Sequence, residues 1–318
     1  MNAVGGYFEL ELRQGGHYHQ KAVRLNTARN CFEYVLRVRQ YTKVYIPYYT
    51  CEVMLEPIDK LGIEVEFYHI NESLEPISTP LLKKNEAFLY TNYFGLKQQC
   101  VKHLAEVLGD HLIVDNAQAF YAEPMQGIDT FYSARKFFGV PDGAYLYTDK
   151  ELAQELEQDV SSERMSHLLK RIDLGAEAGY QDFRRNDDSL CHQPIKRMSK
   201  LTDSILCGID YDSVKRRRRL NYAILDKALK DSNRIRLELD DEAAPMVYPY
   251  WTKDASLRRK LIENKVFVAT YWPNVKEWTK EGMLERKLAE DMIPVPCDQR
   301  YDSNSINQIL FYTNEHQR

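Results

Sequence analysis

From residue 43 to residue 115 the chain alternates between short apolar runs and amphipathic stretches of about ten residues. KVYIP (43–47) reads as a strand and CEVMLEPIDKLG (51–62) as a helix closed by a glycine. IEVEFYHI (63–70) and EAFLYT (86–91) read as strands, CVKHLAEVLG (100–109) as a helix and HLIVD (111–115) as a further strand. Strands returned by helices lie parallel, and the helices cover the faces of the sheet. The expected fold class is therefore α/β, a mostly parallel sheet sandwiched by helices. It would occupy a large domain, 1–203, followed by a smaller C-terminal α+β domain, 204–318. In such sheets ligands sit beyond the carboxyl ends of the strands. TNYFG (91–95), Asp115 and Ser133 all fall at such ends.

The stretch DTFYSARKFFGVPDGAYLYT (129–148) runs from a strand pattern (Thr130, Phe131, Tyr132) through Ser133 to Lys136. A Pro141-Asp142-Gly143 turn and a second strand pattern follow. Lys136 is flanked by Phe137 and Phe138, with no carboxylate after it until Asp142. An apolar setting disfavours the ammonium and leaves an amine free to attack a carbonyl. Asp115 closes an earlier strand and is followed by NAQAF. A pyridoxal phosphate site needs these two groups. The lysine forms a Schiff base, and the aspartate keeps the pyridine nitrogen protonated so that the ring acts as an electron sink. A solvated loop lysine and a helix-capping aspartate are the plain alternatives for the same residues.

A helix with apolar spacing at Phe32, Val35 and Leu36 follows Asn26 or Thr27, its expected N-cap. Its free N–H groups suit a phosphate. Residues 7–12 alternate and read as an arm or edge strand. His17 and His19 fall on one side of a strand there, but no third ligand is in view and no metal is assigned. Residues 150–188 read as helical, with Met165, Leu168, Leu169 and Ile172 facing inward, and long helices follow from Lys196. The basic run Lys215-Arg216-Arg217-Arg218-Arg219 reads as a solvated helix face. RIRLELD (234–240), MVYPYW (246–251) and KVFVATYW (265–272) read as strands of the smaller unit, with SLRRKLIEN (256–264) and SINQIL (305–310) as helices. Pro273, Pro294 and Pro296 mark loops, and Trp272 and Trp278 read as core or interface aromatics. A formal net charge of -4 argues against a general nucleic-acid binder. No apolar run approaches the roughly 20 residues of a membrane span, and no secretion signal is visible. Six cysteines without CxxC spacing point to reduced thiols and a cytoplasmic home.

These segments together resemble a fold-type I pyridoxal-phosphate enzyme, and more narrowly the DegT/DnrJ/EryC1/StrS family. Those are sugar aminotransferases of antibiotic, lipopolysaccharide and capsule pathways. The resemblance covers most of the chain. VYIPYYTCEVMLEPIDKLGIEVEFYHI (44–70) is similar to the family's opening, and TNYFG stands at its aromatic-glycine strand end. DNAQAF (115–120) matches its Asp-x-Ala-Gln-Ala motif, ARKFFGVPDGAYLYT (134–148) its lysine segment, and KRMSKLTDSIL (196–206) its Arg-Met-Ser helix. The resemblance implies that Lys136 bonds pyridoxal 5'-phosphate and carries protons between cofactor and substrate carbons. It implies that Asp115 holds the pyridinium, and that Gln118, one helical turn on, bonds the cofactor's oxygen substituents. Ser133 and the backbone of Ala28, Arg29 and Asn30 would take the phosphate. A small-molecule amino donor such as glutamate, a nucleotide-linked keto-sugar acceptor and a homodimer are implied as well.

Four positions depart from the family pattern. Ser133 lies three residues before the lysine instead of five, where Phe131 stands. Ala28-Arg29 replaces glycine and threonine in the phosphate turn, Cys51 replaces the stacking aromatic, and Ile195 replaces the asparagine lent by a partner subunit. They motivate an alternative, a non-catalytic relative that binds the cofactor or a phosphometabolite in a regulatory or assembly role. A phosphate-binding module unrelated to this cofactor leaves the coincidence of Asp115, Gln118 and Lys136 unexplained. Family members that act as sugar dehydratases carry histidine in place of the lysine, so Lys136 points to the aminotransferase branch.

Overall fold

The computed structural model describes residues 4–314. The first half of the chain runs β1 (Val23–Leu25), α1 (Ala28–Arg39), β2 (Lys43–Pro47), α2 (Leu55–Leu61), β3 (Glu64–Tyr68), β4 (Glu86–Thr91), α3 (Gln98–Leu108), β5 (Leu112–Asn116), β6 (Asp129–Ser133) and β7 (Ala144–Tyr147). These strands form one seven-stranded sheet in the order β1-β7-β6-β5-β4-β2-β3. The pairs joining β3, β2, β4, β5 and β6 are parallel, whereas β7 runs antiparallel to both β6 and β1. The expected mostly parallel α/β sheet is therefore present.

Side chains alternate across this sheet with the two-residue period of a strand. Tyr45, Phe88, Tyr90, Leu112, Val114 and Tyr132 enter one apolar cluster with Val101 and Leu104 of α3. Val44, Ile46, Ala87, Leu89, Ile113 and Phe131 enter the other, under Phe32, Val35 and Leu36 of α1 and Ile58 of α2. Each fully buried Val, Leu, Ile or Phe among them contributes about 1.5–3 kcal/mol. Both faces are covered, so the central strands read as continuous apolar runs.

Beyond β7 come α4 (Ser166–Asp173), α5 (Tyr180–Ser189), α6 (Lys200–Cys207), α7 (Tyr211–Leu229), β8 (Val247–Trp251), α8 (Leu257–Glu263), α9 (Val275–Trp278), α10 (Leu284–Asp291), β9 (Met292–Pro296) and α11 (Ser303–Asn314). The boundary expected after residue 203 falls inside α6. β8 and β9 make a separate antiparallel pair, and the α3-side cluster continues from the large sheet into it.

Several local expectations differ from the structure. Residues 150–161 form no helix, and of the inner stripe assigned to α4, Met165 and Leu168 are half-buried while Leu169 and Ile172 are exposed. RIRLELD and KVFVATYW form no strands, because neither meets a backbone to pair with. The partner of β8 is instead the proline-marked segment at β9. Proline is tolerated there because each strand of a two-stranded sheet keeps an unpaired edge. Residues 7–12 are not a strand, and residues 18–21 form a turn. The short β1 carried no legible signal. In the basic run, Lys215 pairs with Glu242 and Arg219 bonds the Asp240 and Ala243 carbonyls. Arg218, however, is buried in the core, over the Phe137 ring and bonded to the Pro245, Met246 and Phe137 carbonyls.

Candidate active site

Three neighbouring parallel strands end at one crevice. Register pairs Thr91 with Asp115 and Asp115 with Phe131, so the ends of β4, β5 and β6 lie side by side. There a cavity of about 210 Å³ is lined by Thr27, Ala28 and Arg29 from the start of α1, Asp115, Gln118, Ser133 and Lys136. Six of the seven residues expected to form a site line this cavity. Asn30 is not brought to it: its N–H bonds the Thr27 hydroxyl that caps α1, and its side chain bonds Asn26 and the Pro194 carbonyl.

Asp115 is buried and accepts from the Ala117 N–H at 2.8 Å. Burial raises its pKa above the ordinary carboxylate value, and the nearby Lys136 ammonium opposes that shift. Gln118 lies in the turn after β5, not on a helix, because the chain reverses at 117–120. Its Oε1 accepts from the Phe94 N–H at 3.0 Å, while its Nε2 is buried with no partner. That is a costly state for a polar group unless something else in the crevice meets it. The Thr91 hydroxyl lies beside the Asp115 carboxylate and favours its charged form.

Lys136 ends a short 3-10 turn (Ala134–Lys136) directly after β6. Its environment differs from the expectation of an apolar sheath. Phe137 and Phe138 turn into the core beside Phe120, while Lys136 itself is exposed. The amine can therefore swing between the small cavity and an adjoining one of about 650 Å³, whose lining it also joins. Two contacts hold its loop. Asp142, fully buried, accepts from the Ser199 N–H and hydroxyl and from the Thr202 hydroxyl at the start of α6. Gly143, at φ +110, packs where a Cβ would meet Thr202 Cγ2 at 2.8 Å, so only glycine fits.

The start of α1 faces the cavity with two N–H groups, of Ala28 and Arg29, that precede its first internal bonds. Arg29 is ion-paired with Glu56. Cys51 lines the cavity where an aromatic was missed, and Tyr271 and Trp272, from the other end of the chain, supply the aromatic surface instead. Burial pushes the Tyr271 phenol up to about 12, so it stays a donor near neutral pH. Nothing in their spacing marks these two residues; only tertiary packing brings them here.

The seven-stranded, mostly parallel sheet flanked by helices is a fold shared with solved aminotransferases. The structures it resembles include a sugar aminotransferase and a DegT DnrJ EryC1 StrS aminotransferase. DesV of S. venezuelae, solved in complex with a ketimine intermediate, is 17% identical with a TM-score of 0.63, over 93% of this chain and 84% of that one. The sugar aminotransferase CalS13 from Micromonospora echinospora is 12% identical with a TM-score of 0.60, over 92% and 86%. A DegT DnrJ EryC1 StrS aminotransferase from Brucella abortus is 13% identical with a TM-score of 0.59, over 93% and 85%. At these identities the likeness is one of fold. No family model matches the sequence, and no curated protein does.

Proposed function

We propose that this chain is a pyridoxal-phosphate-dependent aminotransferase that moves an amino group from a donor such as glutamate to a nucleotide-linked keto sugar. The observation that carries the reading is the convergence, in one cavity, of an exposed lysine, a buried carboxylate, an orphaned amide donor and a helix N-terminus. The residues present fit the cofactor. Asp115 would hold a ring N–H, which offsets the burial of its charge. Gln118 Nε2 would donate to an oxygen on the ring. Ala28 N–H, Arg29 N–H and the Ser133 hydroxyl would take the phosphate. When bound, the cofactor supplies an aldehyde carbon that bonds amines and a cationic ring that accepts an electron pair. Lys136 Nζ would anchor it and, once released, carry a proton from the donor's Cα to the cofactor carbon and, in the second half-reaction, from that carbon to the acceptor's. Tyr271 and Trp272 would cover the site and exclude water.

The larger cavity suits an anionic acceptor. Lys136 and Arg171 line it as cations, with Tyr180 and Phe267 as apolar walls, whereas Arg300 pairs with Asp298, Arg135 with Asp187, and Arg218 is bonded to core carbonyls. Its volume lies in the range that takes a small ligand. We also infer a homodimer, supported by the exposed apolar residues Leu169, Ile172, Leu174 and Tyr180 on and between α4 and α5. A cytoplasmic setting belongs to the same reading; among the described residues no helix is long and apolar enough to cross a membrane.

The test is an absorbance spectrum of the protein given pyridoxal phosphate, before and after borohydride, with Lys136→Ala alongside. A visible band that borohydride fixes onto Lys136, and that glutamate bleaches, is expected. A fixed band that no amino donor bleaches would instead identify a non-catalytic binder. No band, or the same band in Lys136→Ala, removes the cofactor reading altogether.

A further inference from the structure

The N-terminal segment and α6 bring together three side chains of metal-binding chemistry that lie outside both cavities. One ligand atom each from His17, Asp203 and Cys207 lies within 4.8 Å of the others. His17 is only 8% exposed, and its Nε2 lies 3.3 Å from Asp203 Oδ1. The other ring nitrogen, Nδ1, lies 2.7 Å from the Tyr145 hydroxyl. With Nδ1–H donating to that hydroxyl, Nε2 carries the lone pair a metal takes. Asp203 and Cys207 are four residues apart on α6 and so share a face.

The segment is seated on the helix. A Cβ at Gly15 would meet the Cys207 carbonyl oxygen at 2.4 Å, so the backbone there touches α6 in a way only glycine permits. His17 is thereby held against the far end of the helix that Asp142 caps at its start.

We propose that His17 Nε2, an Asp203 carboxylate oxygen and Cys207 Sγ form a Zn²⁺ site that clasps the N-terminal segment to α6. One nitrogen, one oxygen and one sulfur suit zinc, whereas magnesium and calcium take oxygen ligands. Three protein ligands leave the fourth tetrahedral position to water. Binding displaces the Cys207 thiol proton to solvent. The site's resident competitor is Arg24, whose Nη1 donates to Asp203 Oδ1 at 2.7 Å. Arg24 is 44% exposed and can turn to water when a metal takes the carboxylate. The proposal does not depend on the aminotransferase reading.

The probe is Co²⁺ titrated into the full-length protein, read by its thiolate charge-transfer absorbance and displaced with Zn²⁺. One equivalent is expected to bind with that band. Cys207→Ser should abolish the band, His17→Gln should weaken binding at least about tenfold, and Arg24→Gln should tighten it. Zn²⁺ should raise the melting temperature of the wild type and leave that of Cys207→Ser unchanged. If His17→Gln fails to fold, Cys207→Ser and Arg24→Gln still decide the matter. No band, a band that survives Cys207→Ser, or binding indifferent to Arg24→Gln overturns the proposal.

Discussion

Asp142→Ala tests whether the lysine loop is held where the fold places it. The Asp142 carboxylate is fully buried and has three donors: the Ser199 N–H at 2.9 Å, the Ser199 hydroxyl at 2.7 Å and the Thr202 hydroxyl. The Ser199 hydroxyl in turn accepts from the Thr202 N–H and lies 2.6 Å from the Ser161 hydroxyl, so one network caps α6. Removing the carboxylate leaves the Ser199 N–H without a partner, at about 1–3 kcal/mol. The hydroxyls can rotate and recover part of their bonding. Loss of the negative charge at the helix start adds about 0.3–1 kcal/mol. The sum is a loss of about 3 kcal/mol, a large share of the roughly 5–15 kcal/mol that holds a protein folded. Urea denaturation followed by circular dichroism measures it. Asp142→Ala in a Ser199→Ala background should cost visibly less than in the wild type, because the two residues share one network. A loss under about 1 kcal/mol, or strict additivity with Ser199→Ala, refutes the reasoning.

Two further outcomes follow from the crevice itself. Burial raises the Asp115 pKa, so the native state binds that proton more tightly than the unfolded chain. Ionising it therefore weakens the cofactor-free fold as pH rises from the ordinary carboxylate value through the raised one. Asp115→Asn should be more stable than the cofactor-free wild type at neutral pH, by a margin that vanishes in acid, while transamination falls about a hundredfold or more. Melts across pH check this, and a margin independent of pH counts against it. Gln118→Leu should destabilise the protein by about 1–3 kcal/mol through the orphaned Phe94 N–H, and should also weaken cofactor affinity about tenfold. Titration followed by absorbance separates the two, and unchanged affinity would mean that Nε2 does not face the ring.

The parallel sheet was legible because each strand between residues 43 and 115 carries its own apolar run and each is followed by a helix-period stretch. Asp115, Ser133 and Lys136 were legible for the same reason, since strand ends are local features and parallel strands end on one side. The reading failed where pairing decides. RIRLELD and KVFVATYW have strand composition but no neighbour, whereas MIPVP, with two prolines, has one. The sequence places Phe137 and Phe138 beside the amine, yet whether a ring turns inward depends on residues elsewhere in the chain, Phe120 and Arg218.

By itself the sequence determined the α/β class, the strand ends that carry the aspartate, serine and lysine, and the helix whose start faces them. Each of these is a periodicity or cap that a short segment expresses alone. Tertiary structure alone decided that the Asn30 side chain bonds Asn26 and the Pro194 carbonyl, that Tyr271 and Trp272 supply the aromatic surface absent at Cys51, and that His17 meets Asp203 and Cys207. Those outcomes depend on contacts between residues up to about two hundred positions apart, and local propensity carries no information about which distant side chain will fill a given space.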